Sequence, residues 1–143
     1  MFNPTKDEVR RFFCEVWRKT QADEVLTPLE AIARDWMLQH PEYETELADP
    51  AAAQTAEYDI AKGQSNPFLH LSMHLSIEEQ VSIDQPPGIR DAFRQLATRL
   101  DSAHDAHHEI MECLGEMLWA AQRNGTPPDG AAYVENVRRR AMR

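Results

Sequence analysis

The sequence predicts an all-α protein, a helical bundle of about five to six helices. Apolar residues recur three and four positions apart in most segments, which is the spacing of one helix face. β-branched and aromatic residues nowhere alternate with polar ones over the length of a strand. Capping residues, Pro and Gly stand between the apolar segments, where helices would begin and end. We therefore expect a compact core built from the helices near 6–20, 27–39, 67–84 and 88–123.

Local signals mark where the first two helices begin. Thr5 and Glu8 stand three residues apart ahead of an apolar run, which is the pattern of a capping box. Thr27 and Glu30 repeat that pattern, and Pro28 between them suits the first turn of a helix. Both segments are therefore expected to form capped helices.

A proline and a polar stretch interrupt the chain after the second helix. His40-Pro41 ends that helix, because the residue before a proline disfavours helical backbone. Residues 49–65 are Ala-rich and polar, and they predict a long connection with room for a weak helix. We expect this connection to lie inside a single helical domain that spans residues 1–143.

The second half of the chain carries further start and stop signals. Asn66-Pro67 begins the next helix, and the Pro-Pro-Gly run at 86–88 ends it. We expect a break or a new cap at Asp101-Ser102 inside the helix that follows. Gly125 predicts a left-handed C-terminal cap, and Asp129 predicts the cap of a last short helix.

Composition argues against several classes of partner. The formal net charge of -9 disfavours nucleic acid, because phosphate repels it. No apolar run approaches the roughly 20 residues that a membrane span needs, and the first residues lack the apolar region of a secretory signal. Cys14 and Cys113 are expected to be small buried hydrophobic residues rather than a disulfide. We expect a cytoplasmic protein with no nucleic-acid or membrane partner; a homo-oligomer fits the sequence, and no substrate is indicated.

Two nine-residue stretches carry the same polar pattern, His-x3-His-x3-Glu. The first histidine row comprises His70, His74 and Glu78, and the second histidine row comprises His104, His108 and Glu112. Residues four apart lie one above the other on a helix face, so each row would present two imidazoles and a carboxylate together. Five of the six histidines lie in or beside these rows, and the sixth is His40.

A helical wheel aims the first histidine row inward. The row shares its side of the helix with Leu71 and Ile77, whereas Ser72 and Ser76 lie opposite. A buried His or Glu is costly unless it is paired or bound to a metal. The second row runs along the border of an apolar stripe, with His107 near the centre of that stripe.

The two rows predict a bound divalent metal ion. Imidazole and carboxylate ligands suit iron, zinc, manganese and nickel alike, and helix bundles build such sites from side chains on facing helices. The six residues could form a non-haem two-metal centre. They could instead give three or four ligands to a single zinc, with the others as outer partners. Glu44 and His107 are additional candidate ligands, and Tyr43 is a candidate outer donor.

Several segments resemble one protein family over nearly the whole chain. They are MFNP-x4-VRRFFCEVWRK, LTPLEAIA-x-DW, NPFLHLSMHLSIEEQVSIDQPPGI and H-D-A-x-H-x-x-MECLGE-x-LW-x-AQR. The family that they resemble is the domain of unknown function 1841 family, uncharacterised small bacterial helical proteins. The resemblance implies a small, mostly helical, cytosolic protein and supplies no activity. Similar members read His-Pro-Glu-Tyr-His where this chain has Glu44 at the last position, and a carboxylate can replace an imidazole on a borderline metal.

Three functions remain open on the sequence. The leading hypothesis is a metal-binding helical protein, which in a catalytic version would activate water or dioxygen at an open metal position. The second is a non-enzymatic interaction or structural module with a closed zinc site or none. The third is a metal-dependent phosphohydrolase, since His74, His104-Asp105 and Asp129 follow the ligand order of His-Asp enzymes.

Overall fold

The computed structural model describes residues 5–59, 62 and 64–143. These residues contain eight α-helices and a short 3-10 helix. The α-helices are α1 (Lys6–Gln21), α2 (Pro28–Leu38), α3 (Glu44–Ala48), α4 (Pro50–Thr55), α5 (Pro67–Ile83), α6 (Ile89–Leu100), α7 (Ala103–Asn124) and α8 (Gly130–Ala141). The 3-10 helix is Pro41–Tyr43. The described residues form no strand, so the predicted all-α class is confirmed.

The helix count is higher than the five to six that the sequence predicts, for two local reasons. The segment near 88–123 is broken at the predicted position, Asp101-Ser102, into two helices, α6 and α7. The short helix α3 follows the break at His40-Pro41, and α4 lies in the segment 49–65, for which the sequence predicts a long connection with room for a weak helix. The prediction of a connection over 49–65 falls partly on residues 60, 61 and 63, which lie outside the described residues.

The chain divides into two compact units, residues 1–75 and residues 76–143. In the first unit α1 packs against α2, α3 and α4. The start of α5 adds Phe68 and Leu71 to the same core. The other large buried side chains of this core are Phe13, Val16, Trp36, Met37 and Leu47.

Capping explains where the first two helices begin. The Thr5 side chain accepts a hydrogen bond from the Glu8 amide at 3.2 Å. Thr27 and Glu30 form the complete reciprocal box, with the Thr27 amide donating to Glu30 at 2.9 Å and the Glu30 amide donating to Thr27 at 3.2 Å. The predicted starts of both helices are therefore confirmed. Lys19 on α1 donates to the Glu30 carboxylate at 2.9 Å, which ties the first helix to the start of the second.

In the second unit α6, α7 and α8 pack against one another in all three pairs. Asp101 adopts a left-handed conformation (φ 52°, ψ 36°), and the Ser102 side chain accepts from the Asp105 amide to start α7. The predicted break is therefore confirmed. The predicted left-handed cap at Gly125 and the predicted cap at Asp129 are confirmed as well. The largest buried side chains of this unit are Ile77, Ile89, Leu96, Ile110 and Tyr133.

Both cysteines are buried, as the sequence predicts. Cys14 and Cys113 are each buried in the core of their own unit, and neither forms a disulfide. Among the described residues, every helix is too short or too polar to cross a lipid bilayer.

Candidate metal centre

Helix α5 places His70 and His74 on one face because its start is fixed. The Asn66 side chain accepts hydrogen bonds from the Phe68 amide at 3.0 Å and the Leu69 amide at 3.1 Å, and Pro67 occupies the first turn. His70 follows one turn later and His74 a further turn on. The four-residue spacing brings their Nε2 atoms to 3.2 Å from each other.

The end of α2 places His40 because Pro41 stops the helix there. His40 has φ -128° and ψ 65°, outside the helical region, as the following proline favours. The His40 amide donates to Met37 O, so it no longer serves the carbonyl of Trp36. That carbonyl accepts instead from the Gln39 amide at 3.1 Å and contacts His40 Nδ1 at 2.8 Å.

His40, His70 and His74 form a three-histidine cluster within the first unit. The Nε2 atom of His70 lies 3.1 Å from Nε2 of His40 and 3.2 Å from Nε2 of His74. The three ring centroids are 4.8 to 5.0 Å apart, and the rings are strongly inclined to one another. His40 and His74 are buried, at 2% and 0% exposure, and His70 is partly buried.

Two aromatic rings, Trp36 and Tyr43, flank these imidazoles. Trp36 stacks on His74 with 3.9 Å between ring centroids and 15° between planes. Tyr43 lies nearly parallel to His40 at 5.2 Å and edge-on to His70 at 5.9 Å. Burial raises the pKa of the Tyr43 phenol, and the nearby acidic side chains raise it further, so this phenol is neutral at physiological pH. The cluster is therefore bordered by uncharged ring surface on these sides.

The hydrogen-bond geometry of the cluster is compatible with a shared cation. A carbonyl oxygen only accepts, so the contact with Trp36 O places the hydrogen of neutral His40 on Nδ1 and leaves Nε2 with a lone pair. A divalent metal ion could accept the Nε2 lone pairs of all three imidazoles together. Two nitrogens on a tetrahedral ion at about 2.0–2.1 Å are roughly 3.3 Å apart, close to the two spacings seen here.

The second histidine row lies on α7 in the second unit. The Nε2 atoms of His104 and His108 are 3.0 Å apart, and their rings meet edge to face. His107 is buried and lies edge-on to Phe93, with 5.5 Å between ring centroids. Burial, with a smaller contribution from the charges of His104 and His108, lowers the pKa of His107 to about 3. His107 is therefore a neutral core residue at physiological pH.

The candidate carboxylates have different surroundings. Glu78 is partly buried one helical turn after His74, and Glu44 is exposed in the first turn of α3. Glu112 is exposed and forms an ion pair with Arg140 on α8, beside Glu109 and Glu116. Asp129, which the phosphohydrolase hypothesis would need as a ligand, accepts a hydrogen bond from the Ala132 amide at 3.0 Å and caps α8.

His40 is the member of the three-histidine cluster that the predicted ligand set omits. The two rows were recognised by their repeated spacing, and no histidine stands four residues before or after His40 in the sequence. A different sequence signal marks His40. It stands directly before a proline at the end of an amphipathic helix, where the last carbonyls of the helix need side-chain donors. That signal predicts a fixed imidazole, and only the fold brings it to His70 and His74.

A family model described as Domain of unknown function (DUF1841) matches residues 5–139. This match covers the segments on which the resemblance rests. Comparison with curated proteins and with solved structures gave no match.

Proposed function

The chain belongs to the family described as Domain of unknown function (DUF1841), and we propose that it binds a divalent transition metal ion through His40, His70 and His74. One observation carries the proposal. Three imidazole Nε2 atoms from two separate stretches of the first unit converge, with spacings of 3.1 and 3.2 Å. The hydrogen bond that His40 makes through Nδ1 supports it, because ligating histidines usually donate their other N–H to a carbonyl or carboxylate.

The donor set limits the metal and its chemistry. Three imidazoles favour a borderline ion such as zinc, iron, manganese or nickel over calcium or magnesium, and the cluster contains no thiolate. Three neutral ligands leave the full charge of the ion and at least one position for a small molecule. A water bound there would be acidified, which is the basis of hydrolytic or hydration chemistry. His40 and His74 would hold the ion from the buried side, and His70 from the partly exposed side.

The proposal is tested by metal binding to purified chelator-treated protein. Titration with zinc, iron(II), manganese or nickel should show one tight site per chain, measured calorimetrically and by elemental analysis after desalting. His40→Gln, His70→Gln and His74→Gln should each weaken that site, because each removes one imidazole while keeping a polar side chain of similar size. A wild-type chain that takes up none of these metals would contradict the proposal.

His107→Gln is the matched control. It replaces another buried histidine, outside the three-histidine cluster, so it reports what loss of a buried imidazole does to the fold alone. Circular dichroism should show folded protein for all four variants, and His107→Gln should keep the tight site. Equal loss of binding in His107→Gln and His70→Gln would indicate a general effect on folding and would argue against the three-histidine site.

The sequence predicts metal ligands in both histidine rows. His104, His108 and Glu112 of the second row therefore remain predicted ligands, as does Glu78 of the first row. The double variant His104→Gln, His108→Gln tests that assignment in the same titration. A lower metal affinity or stoichiometry would support a ligand role for this pair, and an unchanged isotherm would remove it.

A further inference from the structure

We infer that Trp36 is the positioning residue of the proposed metal centre, acting on two of the three ligands at once. It contacts His40 through its backbone carbonyl and His74 through its indole ring. The inference rests on the proposed function, since it concerns how that site is held ready for the ion.

The backbone contact follows from the way α2 ends. In an uninterrupted helix the Trp36 carbonyl would accept from the amide of residue 40. Pro41 diverts His40 from the helix, and the His40 imidazole takes the place of its own amide at 2.8 Å. The carbonyl thereby fixes both the ring orientation and the tautomer of His40, so that Nε2 faces His70 with its lone pair.

The indole contact restrains the second ligand. Trp36 covers one face of the His74 ring at 3.9 Å and 15°, and both side chains are buried. Tilting of the imidazole away from the indole would break this stacking, so Trp36 holds the plane of the His74 ring in which Nε2 lies 3.2 Å from His70 Nε2. An imidazole bound to a divalent ion carries more positive charge than a free one, and an aromatic face attracts it more strongly. The stacking is therefore stronger when metal is bound than when it is absent. A contact with that difference raises the affinity for the metal.

His70 is more exposed than the two ligands that Trp36 contacts. It is partly exposed and lies one helical turn before His74 on α5. Trp36 thus contacts the pair His40 and His74, and His70 lies against both of them. Removal of the indole should release one half of that pair while leaving the backbone contact to His40 in place.

The test compares zinc affinity in Trp36→Leu, Trp36→Phe and the matched control Trp17→Leu, which removes a partly buried tryptophan of the first unit. We expect Trp36→Leu to weaken zinc binding by about 10–100-fold, the usual effect of losing a residue that orients a ligand. Trp36→Phe keeps a smaller aromatic face and should lose less, and Trp17→Leu should bind as wild type does. The visible spectrum of the cobalt(II) form should change in Trp36→Leu, because the geometry of a ligand changes.

Two results would overturn the inference. Wild-type affinity and an unaltered cobalt spectrum in folded Trp36→Leu would show that the indole does not position His74. If Trp36→Leu does not fold, wild-type affinity in Trp36→Phe would overturn the inference in its place. Failure of the wild-type chain to bind metal is a different outcome, and it would count against the proposed function itself.

Discussion

Glu30 shows how a single side chain can serve two contacts in the first unit. Its carboxylate accepts from the Thr27 amide at 2.9 Å and from Lys19 at 2.9 Å. The Thr27 amide is the main cause that holds the pKa of Glu30 below its usual range, and the Lys19 ammonium adds to it. The ionised form is therefore the one that stabilises the start of α2.

Replacement of Glu30 by Gln should lower the free energy of unfolding at neutral pH by on the order of 1–2 kcal/mol. A carboxyl whose pKa is depressed in the folded state stabilises it above the ordinary value of about 4.3, and this contribution is lost as the pH falls through the folded-state pKa. The difference between wild type and Glu30→Gln in urea unfolding should therefore shrink in acid. Glu24→Gln, which removes an exposed partner of Arg18, is the control and should have little effect at any pH. A wild-type advantage that persists unchanged in strong acid would contradict this account.

At the scale of helices, Arg10 secures the short helix α4. Its guanidinium is buried and donates to the carbonyls of Ala53 and Ala56, each at 2.7 Å, where α4 ends. It also lies over the rings of Tyr58 and Phe68, at 5.5 and 5.4 Å from their centroids. A six-residue helix is not stable alone, so these contacts from α1 explain why α4 forms.

We expect Arg10→Met to destabilise the protein by about 2–4 kcal/mol, because methionine fills similar space but leaves both carbonyls without this donor. The same change at the exposed neighbour Arg11 should cost little. Urea unfolding of both variants measures the difference, and hydrogen exchange of residues 50–55 should rise selectively in Arg10→Met. Equal stability of the two variants would argue against a role for Arg10 in holding α4.

The helix boundaries were predictable because their signals are local. Asn66, Ser102, Gly125 and Asp129 act on amides or carbonyls within a few residues of themselves, so the sequence alone indicates them. The role of Arg10 was not predictable, since its partners lie 43 and 46 residues away. The sequence predicted no more than a weak helix where α4 lies, because the stability of so short a helix comes from distant contacts.

The candidate site also contains residues that local spacing predicts and a residue that only distant contacts bring into place. His70 and His74 were predictable because one helix brings them together through a fixed spacing. His40 is 30 residues from His70 in sequence, and no periodicity connects the two. Glu112 shows the converse, because its spacing matches the pattern while its carboxylate pairs with Arg140, 28 residues further on. Spacing along one helix therefore predicted which residues share a face, and it could not predict what the fold brings to that face.

At the scale of the whole molecule, the chain forms two compact units, and the three-histidine cluster lies within residues 1–75. A ligand that binds only the folded state stabilises it by mass action, by about 2.7 kcal/mol when its free concentration is 100 times Kd. Zinc should therefore slow hydrogen exchange at the end of α2, just before His40, and in the N-terminal half of α5, which carries His70 and His74. His70→Gln should lose this protection, and His107→Gln should retain it. Protection that is absent in the wild-type chain, or present in His70→Gln, would contradict the assignment.

The central claim is that three imidazoles bind one metal ion, and X-ray absorption spectroscopy of the zinc-loaded chain tests it most directly. The spectrum should fit at least three imidazole nitrogens at about 2.0–2.1 Å, with one fewer in His70→Gln. His107→Gln should give the wild-type spectrum. A zinc shell without imidazole scattering, or one that is identical in wild type and His70→Gln, would contradict the three-histidine site.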